Sequence, residues 1–313
     1  MLSLISFISY INVRYSRSYM AGNAEEERRY IRWLSITLGF VTLVVVSNHM
    51  ILMLVAWIGI SVALHQLLIF YPGRQRAVLA AYKKYIFARI AEIFLLAGVL
   101  ILYYEYDTWL ISEIYATVSQ AESLSYAGHI AALFLAGAAI IKCAQLPLHG
   151  WLIQVVEAPT PVSALLHAGI INLDGFLMIV FAPLLILSDI AQWLLLIVGG
   201  LTTVLAALVM MTRATIKVRL AWSTMSQMGL MLVECALGLF ELALLHLIAH
   251  SCYKAYAFLN SGTEVESTMK RRLAKSVPPT RTDWWLAGFL ASGLVVALVV
   301  IASLPAPYSP WVL

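Results

Sequence analysis

Ten apolar stretches, most of them about 20 residues long, constrain the fold of this chain more than any other feature. A helix rises 1.5 Å per residue, so about 20 apolar residues cross a hydrocarbon layer about 30 Å thick. Only 12% of the 313 residues are charged, against roughly 25% in soluble domains. Long runs such as 127–141 do not alternate as barrel strands would. The stretches lie at about 1–13, 33–47, 50–70, 85–104, 127–147, 161–187, 191–212, 219–239, 241–261 and 284–304.

We therefore predict an all-α polytopic membrane protein, with residues 1–313 forming a single transmembrane domain of about ten helices. The distribution of lysine and arginine predicts its orientation. The loops at 14–32, 71–84, 213–219 and 263–283 hold 17 of the 20 basic residues, and the loops on the other side hold none. By the positive-inside rule the four basic loops are cytoplasmic, which places both termini outside a bacterial inner membrane. Basic residues spread over short loops do not indicate a nucleic-acid partner.

The remaining three basic residues, Arg89, Lys142 and Lys254, lie inside predicted helices. A charge at mid-membrane costs at least about 2.5–3.5 kcal/mol, so such a residue normally faces a partner or an aqueous cavity and serves transport. Lys142 stands five residues before Pro147, which tends to break a helix and to admit water beside the lysine. The alternative is a lysine that snorkels to the interface.

The predicted helix that contains Arg89 carries other charged residues. Arg89 and Glu92 are three residues apart and can pair on one helix face, where the pair modulates the pathway or merely offsets its own burial. Lys83 and Lys84, at the inner end of the same helix, are interpreted as topology anchors.

A histidine stripe carries the best signal for proton transfer. His246, His250 and Lys254 follow at i, i+4 and i+8 and share one helix face. Histidine both accepts and donates a proton near neutral pH, which suits a relay. Structural hydrogen bonding is the alternative. A metal site is a third reading, although the next residue on the stripe is a lysine and a third ligand is not evident.

His167 and Asp174 lie on the predicted helix at 161–187 and share roughly one face of it. His167 follows two prolines and a possible helix-capping Ser163, and it is placed to connect Lys142 to the stripe or to serve as an ordinary buried histidine. Asp174 would be costly unpaired, so we expect it to pair with a lysine or to be protonated.

The motifs of redox or nucleotide chemistry do not occur: the sequence contains no GxGxxG, no P-loop and no metal-cluster spacing. We therefore predict a transport subunit, not an enzyme, with no cofactor or metal of its own. Its energy source is then an ion gradient or a partner.

Four ordered motifs resemble the antiporter-like subunits of respiratory complex I and of Mrp cation/proton antiporters. They are LPLHGW at 146–151, APTPVSALLHAG at 158–169, AWSTMSQMG at 221–229 and HLIAHSCYK at 246–254. The resemblance implies inverted five-helix repeats with broken helices, incomplete in this chain. It also implies that Lys142, His167 and the stripe form the proton or cation pathway, and that Lys217 matches a lysine at a helix start.

Two departures qualify this resemblance. Complex I subunits carry a glutamate after the tryptophan of an early helix, as the partner of the lysine that corresponds to Lys142. Here Trp57 is followed by Ile58, so we expect that proton-loading partner to be missing. The chain also ends soon after the stretch at 284–304, and we expect the outlet site of the family to be absent or to lie beyond this sequence.

Three parts of the sequence look most like the DabB-type membrane subunits of two-component inorganic carbon uptake systems: residues 64–72, the pair Lys83-Lys84 and the segment HSCYKAYAFLNSG. That resemblance implies a large soluble zinc-binding partner related to β-carbonic anhydrases, the DabA type, and gradient-driven uptake of CO2 or bicarbonate. The alternatives are a proton-translocating subunit of NADH-quinone oxidoreductase, an Mrp-type antiporter, and a non-conducting membrane scaffold.

Overall fold

The computed structural model describes residues 1–20, 24–262, 269–270 and 280–303. Within these ranges the chain is mostly helical and forms no β-strand, which confirms the all-α prediction. Short 3-10 turns occupy Val155–Glu157, Ile170–Asn172 and Asn260–Gly262. The α-helices are α1 (Leu2–Tyr19), α2 (Ala24–Val46), α3 (Met50–Leu68), α4 (Gln75–Tyr106), α5 (Ile111–Ser119), α6 (Tyr126–Lys142), α7 (Gly150–Gln154), α8 (Thr160–Ala168), α9 (Leu173–Val180), α10 (Ala182–Ile186), α11 (Asp189–Met211), α12 (Ile216–Ala236), α13 (Phe240–Leu259) and α14 (Arg281–Ser303).

Each of the ten apolar stretches overlaps a helix, and six segments among the described residues are long and apolar enough to cross a membrane. These six are α2, α3, α4, the α8–α9 segment Thr160–Val180, α11, and Phe240–Gly262, which contains α13. On α11 the large apolar side chains of Trp193, Ile197 and Val204 face outward and are exposed. A lipid environment accommodates such a surface, whereas water does not. The protein is therefore a multi-pass membrane protein.

The predicted cytoplasmic loops are shorter than the sequence suggested. Helix α2 begins at Ala24 and α4 at Gln75, so most of the loops predicted at 14–32 and 71–84 is helical. Hydropathy detects the part of a helix in hydrocarbon, while the helix itself continues into the headgroup layer, where polar side chains are solvated. Most of the predicted loop at 263–283 lies outside the described residues.

Residues 1–261 and 262–313 form two separate units. The first contains every candidate site residue, and the described part of the second consists mainly of α14. The prediction of a single domain over residues 1–313 stays a prediction.

The break that Pro147 predicts is confirmed. Helix α6 ends at Lys142, and the chain becomes helical again at Gly150. Ala144 adopts the left-handed conformation with φ of 51°, which is uncommon for a residue with a side chain. The break is stabilised from α11, because the Thr202 hydroxyl accepts from the Leu146 amide at 3.1 Å. Irregular backbone at membrane depth survives where protein groups satisfy it in this way.

A second break separates α8 from α9 at Gly169–Asn172. The amide nitrogen of the Asn172 side chain donates to the Ala168 carbonyl at 3.0 Å and to the Ser251 hydroxyl of α13 at 2.7 Å. The two breaks lie beside two candidate residues, because Lys142 is the last residue of α6 and His167 the penultimate residue of α8.

Two glycines let α11 and α12 approach closely. A Cβ atom on Gly199 would lie 2.7 Å from the Gly229 carbonyl oxygen, and a Cβ on Gly229 would lie 2.7 Å from the Gly199 carbonyl oxygen. Small residues at a helix interface allow such packing in membranes. This contact fixes α12, which carries several polar residues of the site.

Candidate functional site

Lys142 lies at one side of a cavity of about 30 Å³, which we call the lysine cavity. Lys84, Asp174, Ser61 and Trp57 also line this cavity. A volume of this size holds one or two water molecules. The ammonium group of Lys142 lies 4.5 Å from the centre of the Trp57 ring, a cation–π contact.

A carboxylate reaches Lys142 from α4 although residue 58 is isoleucine. Glu92 Oε1 lies 4.0 Å from Lys142 Nζ, and Glu92 Oε2 pairs with the Arg89 guanidinium at 2.8 Å. Glu92 is buried, whereas about a third of the Arg89 side chain is exposed. Arg89 and Lys142 therefore share one carboxylate, and removing either cation strengthens the attraction of Glu92 for the other.

Lys84 is not the exposed topology anchor that the sequence suggested. It is 6% exposed, and its Nζ donates to the Ser61 carbonyl of α3 at 3.3 Å. The reason is that α4 starts nine residues earlier, at Gln75, so Lys84 lies more than two turns inside the helix and points toward α3. Lys83, its neighbour, is half-buried.

Asp174 lies on α9 and is 2% exposed. Its Oδ1 atom has no hydrogen-bond partner among the described residues, although the carboxyl lines the same cavity as both lysines. An unsatisfied carboxyl oxygen at this depth indicates a partner across the cavity or a water within it.

The other candidates form a second cluster, which we call the histidine group: His167, Glu234, His246, His250 and Lys254. Lys254 is fully buried, and its Nζ donates to the Leu220 carbonyl of α12 at 3.0 Å. The Thr224 hydroxyl also donates to this carbonyl, at 3.0 Å. Lys254 has no carboxylate within ion-pairing distance in the described part of the chain.

The hydrogen bonds of Thr224 define the tautomer of His167. Thr224 Oγ1 lies 3.2 Å from His167 Nδ1 and donates its own hydrogen to Leu220, so it accepts from the Nδ1–H group. In the neutral ring His167 Nε2 then carries a lone pair, and that atom is buried without a hydrogen-bond partner in the residues described. Phe258 stacks on the ring at 4.4 Å between centroids. The hydrogen bond at Nδ1 thus fixes the His167 ring, and the Nε2 atom is free to accept a proton.

His246 is enclosed by two oxygen acceptors. Its Nδ1 lies 2.9 Å from Glu234 Oε2, and its Nε2 lies 2.8 Å from Gln227 Oε1. Both ring nitrogens of His246 thus lie within hydrogen-bond distance of an oxygen atom, and the Glu234 carboxylate is placed to stabilise positive charge on the ring. The His250 ring lies 6.2 Å from that of His246, and neither of its nitrogens has a hydrogen-bond partner within the described ranges.

The structure brings together most of the predicted residues but in two clusters. His167 lies with the stripe, whereas Lys142, Arg89, Glu92 and Asp174 surround the lysine cavity. No hydrogen bond between described residues joins the two clusters, but Leu166, which precedes His167, lines the lysine cavity. Lys217 lies in the first turn of α12, is half-buried, and belongs to neither cluster.

Sequence reasoning missed two residues of these clusters. Glu234 is a carboxylate inside the apolar stretch 219–239, and that position alone was a signal. Lys84 gave no such signal, because hydropathy places it at the edge of its apolar stretch. A metal site at the stripe was one of the alternatives. In the described part of the chain, no three histidine, cysteine, aspartate or glutamate side chains form a group that could hold a metal ion.

Comparison with known proteins places the chain in a family of membrane subunits. Residues 47–306 match the family model described as NADH:quinone oxidoreductase/Mrp antiporter, TM. Over all 313 residues the chain is 69% identical to the "Probable inorganic carbon transporter subunit DabB" of Hydrogenovibrio crunogenus, of which it spans 60%. It is 42% identical over 300 residues to subunit DabB2 of Halothiobacillus neapolitanus, covering 95% of this chain and 54% of that protein.

More distant similarities agree with this placement. NADH-quinone oxidoreductase subunit L of Mycobacterium tuberculosis is 34% identical over 294 residues, which cover 91% of this chain and 46% of that one. The structure of the Mrp complex from a Dietzia species superposes with a TM-score of 0.76 at 24% identity, over 82% of this chain and 28% of that one, and supports the antiporter-like fold. The chain belongs to the NADH:quinone oxidoreductase/Mrp antiporter membrane family.

Proposed function

We propose that this chain is the proton- or cation-conducting part of the membrane subunit of a two-component inorganic carbon uptake system. The observation that carries the proposal is the 69% identity, along the whole chain, to a protein named as an inorganic carbon transporter subunit. The chain spans 60% of that relative, so activity, substrate and partner are proposed for the complete protein.

The two clusters support a conducting role. A proton enters or leaves the membrane region through the lysine cavity, where Lys142 holds it between the Trp57 ring and Glu92. It continues through His167, whose free Nε2 accepts it, to Lys254 and His250. His246 and Glu234 form the far end, where a carboxylate stabilises the arriving charge. Each residue in this order carries a group that can accept or donate a proton.

The carbon chemistry belongs to a partner in this proposal. A large soluble zinc-binding subunit related to β-carbonic anhydrases, the DabA type, converts CO2 to bicarbonate, and ion flow through this chain drives the process in one direction. We place the protein in the bacterial inner membrane with its basic loops in the cytoplasm, where the positive-inside rule puts them.

A second candidate function is proton translocation within NADH-quinone oxidoreductase, which the 34% identity to subunit L favours. It is the weaker candidate because residue 58 is isoleucine and because the identity to the DabB subunit of Hydrogenovibrio crunogenus, 69%, is about twice as high. A non-conducting scaffold is weaker still. A buried lysine without a carboxylate partner, such as Lys254, is costly, and a scaffold gives no reason to bear that cost.

The test is uptake of labelled inorganic carbon by a bacterium that requires high CO2 and that expresses the protein together with its soluble partner. We expect accumulation that a protonophore abolishes, and growth at ambient CO2. Lys142→Ala should abolish both. Lys83→Ala, which removes a half-buried lysine that does not line the lysine cavity, should leave both intact.

Two results would refute the proposal. One is wild-type accumulation that persists when the proton and sodium gradients are both collapsed. The other is full accumulation by the Lys142→Ala protein at the same membrane level.

A further inference from the structure

The charges around the lysine cavity do not balance. The described residues at this place include three cations, Lys84, Arg89 and Lys142, and two carboxylates, Glu92 and Asp174. Arg89 and Glu92 pair at 2.8 Å. Two lysines and one aspartate then remain, with one excess positive charge if all three are ionised.

Burial makes that excess expensive. Lys84 is 6% exposed, Asp174 2% exposed, and the Lys142 side chain 11% exposed. An uncompensated charge at membrane depth is disfavoured, and the cheapest remedy for a lysine is to lose its proton. With one lysine neutral, the other lysine and Asp174 form a balanced pair.

We propose that Lys84 and Lys142 share one mobile proton, with Asp174 as the fixed counter-ion of whichever lysine holds it. This deepens the proposed function by naming a proton-transfer step within the lysine cavity. An N–H bond of the Lys84 ammonium breaks, a water in the cavity passes the proton on, and an N–H bond forms on neutral Lys142. Net charge is the same before and after, so the step avoids the penalty of creating a buried charge.

Three observations place the groups for this step. Both lysines and Asp174 line one cavity with room for one or two waters. Asp174 Oδ1 is buried without a hydrogen-bond partner in the described part of the chain, so it is available to a lysine or to that water. Among the described residues Lys84 makes one hydrogen bond, to a backbone carbonyl, and such a carbonyl accepts from the charged and the neutral amine alike.

The charge count predicts how variants compare. Lys84→Met removes the excess charge, and Asp174→Asn raises it from one to two. The double variant Lys84→Met/Asp174→Asn returns it to one, as in the wild type. In detergent, the melting temperature should therefore be lowest for Asp174→Asn, by about 2–4 °C or more. It should match the wild type in the double variant, and it should be no lower than the wild type in Lys84→Met.

Transport should follow a different order. Lys84→Met, Asp174→Asn and the double variant should each lose inorganic carbon uptake by about 100-fold, because the proton-transfer group, its counter-ion or both are missing. Asp174→Glu, which keeps the carboxylate, should retain uptake, and Lys83→Met is the matched control for removing a lysine from α4. A double variant that is stable but inactive separates proton transfer from a merely structural role.

Wild-type uptake by Lys84→Met or Asp174→Asn would overturn the inference, as would a double variant that melts as low as Asp174→Asn. The melting order does not depend on uptake. If the wild type itself transports no inorganic carbon, the proposed function fails, while the melting order still tests whether the three residues share one proton.

Discussion

Replacing Lys254 by methionine should stop transport without lowering stability. Lys254 is fully buried, and its Nζ donates a hydrogen bond to the Leu220 carbonyl at 3.0 Å. Methionine has a similar length and volume and carries no charge. The substitution therefore isolates the cost of placing a lysine at this depth from the packing of its stem.

The magnitude follows from two opposing terms. Loss of the hydrogen bond costs about 1 kcal/mol, and the Leu220 carbonyl is not left unsatisfied because Thr224 also donates to it. Removal of a lysine from mid-membrane recovers about 2.5–3.5 kcal/mol. The free energy of unfolding should therefore rise by roughly 1.5–2.5 kcal/mol in the methionine variant.

The assay combines unfolding of the purified protein in mixed micelles with uptake of labelled inorganic carbon by cells. We expect higher stability together with uptake reduced by about 100-fold or more. Lys83→Met controls for general effects of losing a lysine. The reasoning is refuted if the Lys254→Met protein loses several kcal/mol of stability, or if it takes up carbon at the wild-type rate.

Three further predictions test individual contacts. Arg89→Met leaves Glu92 to Lys142 alone, so uptake should slow as Lys142 becomes trapped in the ion pair, and full-rate uptake would argue against this coupling. Gly199→Ala should destabilise the α11–α12 contact by about 1–3 kcal/mol in a micelle unfolding assay. Gly39→Ala, where a Cβ meets no atom within 4 Å, should instead stabilise its helix by about 0.5–1 kcal/mol, and equal effects at the two glycines would contradict the packing argument. Glu234→Gln and His246→Asn should show a coupling energy of about 0.5–3 kcal/mol in a double-mutant cycle, and strictly additive effects would mean that the 2.9 Å contact contributes nothing.

Much of the fold follows from the sequence because hydrocarbon imposes a length on every crossing. The break after Lys142 was also predictable, since Pro147 cannot continue a helix. The break at Gly169–Asn172 was harder to place, because no proline marks it and Asn172 holds it through a contact to Ser251, 79 residues away. Helix ends were misplaced where polar residues continue the helix beyond hydrocarbon, as in α2 and α4.

The candidate site was predictable where helical spacing defines it and unpredictable where it depends on tertiary contacts. The stripe His246, His250 and Lys254 follows from period alone. The partner of His246 does not, because Glu234 reaches it from another helix. Lys84 shows the same limit, since its sequence position suits an interface anchor and only the packing of α4 against α3 buries it.

The central claim is that buried lysines and histidines of this chain conduct protons for inorganic carbon uptake. The most direct measurement is proton flux into proteoliposomes that contain the protein and its soluble partner, followed with an enclosed pH-sensitive dye after addition of CO2. We predict flux that requires both the partner and CO2 and that disappears in the Lys142→Ala and Lys254→Met proteins. Equal flux in vesicles that contain the wild-type protein and in vesicles that contain either variant would contradict the claim.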